Sequence, residues 1–149
     1  MNRTDPAALG ADLLAVVARI NRLANQRIEL PLPFAQARLL ATIEDQGQTR
    51  ISELAAIDHC SQPTMTTQVR RLEDAGLVSR TEDPADARAV LIGITDEGRA
   101  TLNRVRADRS AAINPYLEHL DGAQRDALVE AIQVLRGLLD DAQQDRRSK

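Results

Sequence analysis

Apolar residues recur along most of the chain at the spacing of helices that face a core. Leu9, Leu13, Val16, Val17, Ile20, Leu23 and Ala24 mark one side of a first helix. Thr4 or Asp5 is placed to cap it, with Pro6 in its first position, where a missing N–H costs nothing. The pattern runs to about Leu30, and Pro31 and Pro33 end it. Phe34 to Gln46 predicts a second helix, with Leu39, Leu40 and Ile43 inward and Gly47 as its left-handed stop. Ser52 is placed to cap a short third helix carrying Leu54, Ala55 and Ile57, and a brief break at Asp58 to Cys60 leads into a fourth, Ser61 to Ala75, stopped by Gly76. Two short runs, Leu77 to Thr81 and Ala89 to Ile94, then predict a β-hairpin across the polar segment Glu82 to Arg88. Thr95 caps a fifth helix with Leu102, Val105, Ala112, Ile113 and Tyr116 on its apolar side, which Pro115 should kink or end. Asp121 and Gln124 form a capping pair for a last helix with Leu128, Ile132, Leu135 and Leu139 in line, and the tail from Gln143 is expected to fray.

The fourth helix differs from the others in what lies opposite its apolar stripe. Met65, Val69 and Leu72 at i, i+4 and i+7 face inward, and the outer face carries Gln62, Thr66, Thr67, Gln68, Arg70 and Arg71. His59 to Leu72 contains no Asp or Glu. Hydrogen-bonding side chains with two positive charges suit a major groove, whose base edges offer donors and acceptors. An ordinary amphipathic surface helix has the same periodicity, so the neighbours decide. Two short helices joined by a tight turn are the layout of a helix-turn-helix, and a hairpin directly after the second helix makes a wing. The expected fold is mainly α with a small β-hairpin wing, flanked by long N- and C-terminal helices. Three long amphipathic helices are buried most simply in a symmetric dimer, which sets two reading helices roughly 34 Å apart on one face of a duplex.

Composition narrows the classes. At 149 residues with 43% hydrophobic content, the chain has one domain or two small lobes. It has no apolar run of membrane-spanning length and no signal-peptide core, so no membrane partner is expected and a cytoplasmic location is. One cysteine cannot close an internal disulfide, and two histidines with it do not make a zinc site. No nucleophile–base spacing, metal-ligand spacing or glycine-rich phosphate loop appears, which argues against an enzyme and against any cofactor. Phe34 and Tyr116 are the only aromatics, too few for stacking on single strands. The net charge of −3 lowers non-specific affinity for nucleic acid, but the acids Glu73, Asp74, Glu82, Asp83 and Asp86 all follow the acid-free stretch of the fourth helix. A winged helix that docks only on protein is the rival class, although a protein-docking face would more often be apolar.

The chain resembles the MarR family of bacterial transcription regulators over nearly its whole length. The resemblance is carried by Ile51-Ser52-Glu53-Leu54-Ala55, by Ser61-Gln62-Pro63-Thr64-Met65-Thr66 and by Leu72 to Arg80. Its most specific part is Asp83-Pro84-Ala85-Asp86-Ala87-Arg88 followed by Ile94-Thr95 and Gly98. Ile94 stands where Leu is commoner, and Ala87 where a second wing arginine is often found. The resemblance implies a homodimer on double-stranded DNA, with the fourth helix in the major groove and the wing in the minor groove of a pseudo-palindromic operator. It divides the chain into an N-terminal dimerisation helix (1–32), a winged helix-turn-helix (33–95) and C-terminal dimerisation helices (96–149). Arg88 becomes the wing arginine and Asp86 the residue that orients it, although a local Asp86–Arg88 ion pair would equally hold the hairpin. The candidate DNA contacts are Ser61, Gln62, Pro63, Thr64, Thr66, Thr67, Gln68, Arg70, Arg71, Arg80, Asp86 and Arg88. Similar proteins repress, and release DNA on binding a small anionic or phenolic effector or on oxidation of a cysteine; no effector-binding residue is singled out. Cys60, the only thiol, precedes a helix N-terminus but aligns with an apolar turn position, which favours a buried structural role. His59 is expected in the turn and His119 at the surface.

Overall fold

The computed structural model describes residues 5–26 and 31–147. Its elements are α1 (Pro6–Gln26), α2 (Phe34–Gln46), β1 (Thr49–Arg50), α3 (Ile51–Ile57), α4 (Gln62–Asp74), β2 (Val78–Asp83), β3 (Asp86–Ile94), α5 (Asp96–Leu117) and α6 (Gly122–Arg147). The chain divides into two compact units, Met1–Ala112 and Ile113–Lys149, with the boundary inside α5.

In the first unit the core collects the stripes that the periodicity marks. Leu39, Leu40 and Ile43 of α2 meet Leu54 and Ala55 of α3, Met65, Val69 and Leu72 of α4, Leu77, Val78 and Ile92 of the hairpin, and Leu102 of α5. The sheet is antiparallel in the order β1-β3-β2, with Thr49 opposite Ile92, Val78 opposite Ile94 and Glu82 opposite Val90. Two glycines end helices in the left-handed region: Gly47 (φ 71°) after α2 and Gly76 (φ 73°) beyond α4. Thr95 ties the hairpin back to α4. Its N–H donates to Leu77 O at 3.0 Å and its hydroxyl donates to Gly76 O at 2.7 Å, while the hydroxyl oxygen accepts from Gly98 N at 3.0 Å as the cap of α5. Glu44 of α2 receives Arg106 at 2.8 Å and Arg99 at 3.5 Å from α5.

Several boundaries differ from expectation. The α1 cap falls to Asp5, whose carboxylate accepts from Ala8 N at 3.4 Å; Thr4 and the stretch Arg27 to Leu30 lie outside the described residues. Helix α3 starts at Ile51, with Arg50 rather than Ser52 at the cap position, because Glu53 reaches back to Arg50 N (3.1 Å) and Thr49 Oγ1 (2.7 Å). Residues Thr49–Arg50 form a strand that two residues of sequence do not announce. The wing strands extend to Asp83 and from Asp86, leaving only Pro84 and Ala85 as the turn.

The second unit is a helical hairpin. Pro115 neither ends nor breaks α5, which runs on to Leu117; the Nδ1–H of His119 donates to Pro115 O at 2.6 Å just beyond it. Asp121 and Gln124 cap α6 reciprocally, at 2.8 and 3.1 Å. The tail continues as helix to Arg147 instead of fraying at Gln143. Among the described residues no helix is long and apolar enough to cross a membrane, and no group of three His, Cys, Asp or Glu could hold a metal ion.

Candidate nucleic-acid interface

Helix α4 is built to be held from one side only. Ser61 caps it, its Oγ accepting from Thr64 N at 3.3 Å and lying 2.8 Å from Thr64 Oγ1, and Pro63 sits in the first turn. Met65, Val69 and Leu72 are at most 1% exposed, which fixes the rotation of the helix about its axis. That rotation leaves Gln62, Pro63, Thr64, Thr66, Thr67, Arg70 and Arg71 exposed and Gln68 half-buried. The Thr66 hydroxyl donates to Gln62 O at 2.8 Å and that of Thr67 to Pro63 O at 3.1 Å. With their protons committed to the helix, both threonines present outward a methyl group and an accepting oxygen, a pairing that fits a thymine methyl beside an exocyclic amine.

The turn into this helix is tight. His59 is exposed at φ 52°, a left-handed position that His adopts more readily than most residues. Cys60 N donates to Ala55 O at 3.0 Å, and Arg38 of α2 holds Asp58 at 3.1 Å. Cys60 packs against the core but is half-buried rather than buried as its apolar turn position leads one to expect.

The wing is held differently. Beyond Val78, Asp83 is the one buried residue of β2, and its carboxylate accepts from both Nε (3.0 Å) and a terminal nitrogen of Arg50. Its other oxygen accepts from Ala85 N at 2.9 Å, closing the turn. The Ala85 bond and then the Arg50 bonds hold the Asp83 carboxyl below its ordinary range, against the opposing effect of burial, and Asp83 in turn raises Arg50. Glu53 is also lowered, by its bonds from Thr49 and from Arg50 N. A carboxyl lowered by folding contributes stability above its unfolded value, about 3.9 for Asp and 4.3 for Glu, and loses it as pH falls through the folded value. Urea unfolding across pH 2–7 is therefore expected to show a steep loss of stability below about pH 4, shallower in Asp83→Asn and in Glu53→Gln. An unchanged acid slope in both variants would remove these groups from the acid response.

The candidate contacts separate into three groups. Ser61 to Arg71 share one helix, with Arg70 and Arg71 in no ion pair among the described residues. Arg88 is exposed on the wing, in a stretch (87–89) without register partners between the Glu82–Val90 and Asp83–Asp86 pairs. Asp86 does not pair with the Arg88 guanidinium; its Oδ1 accepts from Arg88 N at 3.1 Å, so it fixes the backbone, and the guanidinium is in no ion pair among the described residues. Arg80 stands apart, its Nε bound to Glu73 at 2.8 Å. That bond joins β2 to the end of α4 and neutralises the side chain locally. Arg50 and the bonding of Asp83 are what the sequence did not reveal, since the partners lie 33 positions apart.

Comparison with known proteins bears on this arrangement. The model of the MarR family matches residues 32–90, which run from the segment before α2 into the wing. The HTH-type transcriptional regulator Mb0904 of Mycobacterium bovis is 28% identical over 137 residues, covering 91% of this chain and 96% of that protein. The HTH-type transcriptional repressor MdtR of Bacillus subtilis is 28% identical over 113 residues, 76% and 71% of the two chains. The structure of BpsR from Bordetella bronchiseptica, described as explaining regulation of its DNA binding by 6-hydroxynicotinic acid, superposes with a TM-score of 0.57 at 26% identity, covering 86% of this chain and 98% of that one.

Proposed function

We propose that the chain is a MarR-family DNA-binding transcriptional regulator rather than an enzyme, and that it works as a homodimeric repressor on a pseudo-palindromic operator and is released by a small-molecule effector. The observation that carries the operator reading is the outer face of α4 from Gln62 to Arg71: polar, free of acids, rotated outward by a fully buried stripe, and next to a wing whose Arg88 is in no ion pair among the described residues. In this reading α4 enters the major groove. Gln62, Thr64, Thr66, Thr67, Gln68 and Arg71 contact bases and phosphates, Ser61 and Pro63 bring the helix N-terminus to the backbone, and Arg70 neutralises phosphate. Arg88 enters the minor groove, whose narrow A·T tracts attract arginine. Arg80, tied to Glu73, serves more to brace the wing than to touch DNA.

The homodimer is supported by large apolar side chains that stand exposed among the described residues. In α6, Leu128, Val129, Ile132, Val134, Leu138 and Leu139 are 40–64% exposed, and in α1 Leu9, Leu14, Val16 and Ile20 are 45–70% exposed. The second unit also carries a groove of about 380 Å³ lined by Leu117, Leu120, Leu128, Val129 and Ile132. A monomer seldom leaves large apolar helix faces in water, and a second copy supplies a matching face by symmetry. Repression is supported by the function named for MdtR, and ligand release by the regulation named for BpsR; a small anionic or phenolic compound is the effector class to screen. A regulator of this kind acts in the cytoplasm, where its DNA lies.

A mobility shift on the DNA upstream of its own gene, with a salt series and an unrelated competitor, tests the reading. A salt-sensitive complex that survives competitor at a dyad site is expected. Arg71→Ala and Arg88→Ala should each weaken it by about 1–3 kcal/mol, and the salt slope should fall by about one for each phosphate no longer neutralised. If both variants bind as wild type does at moderate salt, the groove assignments are wrong. If neither this DNA nor random-sequence selection yields a site, the operator reading fails and docking on a protein takes its place.

A further inference from the structure

The distal half of the wing has no apolar anchor. Between Ser79 and Leu91, Asp83 is the only buried residue; Ser79 to Glu82 are exposed on β2, as are Asp86, Ala87, Arg88 and Val90 on β3. A hairpin tip with so little burial would sample many orientations unless polar contacts hold it. The contacts present converge on one side chain. Arg50 lies on β1 opposite Leu91 of β3, and its guanidinium crosses the middle strand to reach Asp83 on β2. Asp83 closes the turn through Ala85 N, and Asp86, its register partner across the turn, fixes the backbone of Arg88. At the other end Arg50 is itself fixed, its N–H bonded to Glu53 in the first turn of α3, whose core residues pack with those of α4. A line of bonds thus runs from the helix pair through Arg50 and Asp83 to the wing tip.

We infer that Arg50 is a positioning residue for DNA recognition: through Asp83 it sets where Arg88 stands relative to helix α4, and so couples minor-groove contact to major-groove register. This rests on the operator reading above. Arg50 itself need touch no DNA. Its planar fork bonds Asp83 through two nitrogens, a geometry that a lysine cannot reproduce.

The test is a double-mutant cycle on the full-length protein, using an operator obtained by random-sequence selection with wild type and flanks changed from A·T to G·C. Arg50→Gln is expected to bind about tenfold more weakly and to lose the A·T preference at the flanks, as Arg88→Ala does. Arg50→Gln with Arg88→Ala should be no weaker than Arg88→Ala alone, because the two changes remove one contribution, whereas Arg50→Gln with Arg71→Ala should be additive. Amide exchange adds a readout in the free protein: Ala85 N–H should lose protection in Arg50→Gln while the α4 amides keep theirs. Arg50→Lys keeps the charge and the packed stem but not the fork, so it should recover affinity only in part, and it carries the same test if Arg50→Gln fails to fold. A variant that keeps the wild-type flank preference, or that is additive with Arg88→Ala, overturns the inference alone. Absence of any selected site for wild type overturns the operator reading and this inference with it.

Discussion

Gly98→Ala is expected to destabilise the protein by about 3 kcal/mol, the upper part of the range for overpacking. In an open helix the same change would help, since alanine exceeds glycine by about 1 kcal/mol in helix propensity. Here the sign reverses because of what the first turn of α5 rests on. A Cβ on Gly98 would stand 2.0 Å from the carbonyl oxygen of Leu77 and 2.9 Å from Ile94 Cγ1. The carbonyl cannot swing away cheaply, for it accepts from Thr95 N at 3.0 Å, and Leu77 is itself in the core. Relief would require α5 to lift from the hairpin, breaking the Thr95 bridge to Gly76 and loosening Leu102. Urea unfolding of the variant measures the loss. Stability equal to wild type would show that the seat of α5 on the hairpin is soft, and that the spacing of the wing from the flanking helix is not fixed there.

What the sequence disclosed is what short-range physics writes into it. Met65, Val69 and Leu72 were legible because helical periodicity is local, and they are buried as the pattern requires. Ser61, Thr95 and the Asp121–Gln124 pair were legible because a cap binds three residues away. The misplaced cap at α3 shows the limit of that logic. Ser52 has the right chemistry, but Glu53 reaches back to Arg50 N and Thr49 Oγ1, and β1 pairing with β3 fixes the extended backbone there, so the helix begins two residues earlier. The strand β1 had no signal of its own, because two residues become a strand only through a partner some 40 positions on. The hairpin was read as too short for a related reason: Asp83 looks like loop until Arg50 buries it. The tie between Arg80 and Glu73 spans only seven positions, but it crosses the stop at Gly76 from helix to strand, where no periodicity carries over, and it takes a candidate contact out of the free cations. The outward face of α4 could be read because its meaning lies in which residues are there. The aim of Arg88 could not, because it depends on bonds between elements far apart in the chain.

Replacing Ile132 and Leu139 together by Asp is expected to give a monomer whose operator affinity is lower by at least about a hundredfold. Both residues lie on the exposed apolar line of α6, at 41% and 64% exposure, so neither substitution opens a cavity within one chain. The hairpin should therefore fold, with α6 still capped by Asp121 and Gln124. What two carboxylates would forbid is the approach of a second apolar face, since burying an unpaired charge costs several kcal/mol. The consequence for DNA is larger than that for the fold. One winged helix offers one α4 and one Arg88, and in a dimer the second copy binds as an intramolecular event at high effective concentration. A monomer loses that gain and keeps only half-site contacts, which are largely electrostatic and close to non-specific in strength. Sedimentation should show the wild type as a dimer and the double variant as a folded monomer, and the mobility shift should show no operator complex at concentrations where wild type saturates. Arg136→Ala on the same helix, a change that removes no apolar side chain, serves as the control and should leave both readings near wild type. A variant that stays dimeric would move the interface away from this face of α6. A monomer that still held the operator at wild-type affinity would mean that each winged helix recognises DNA alone, and the pseudo-palindromic operator would have no physical basis.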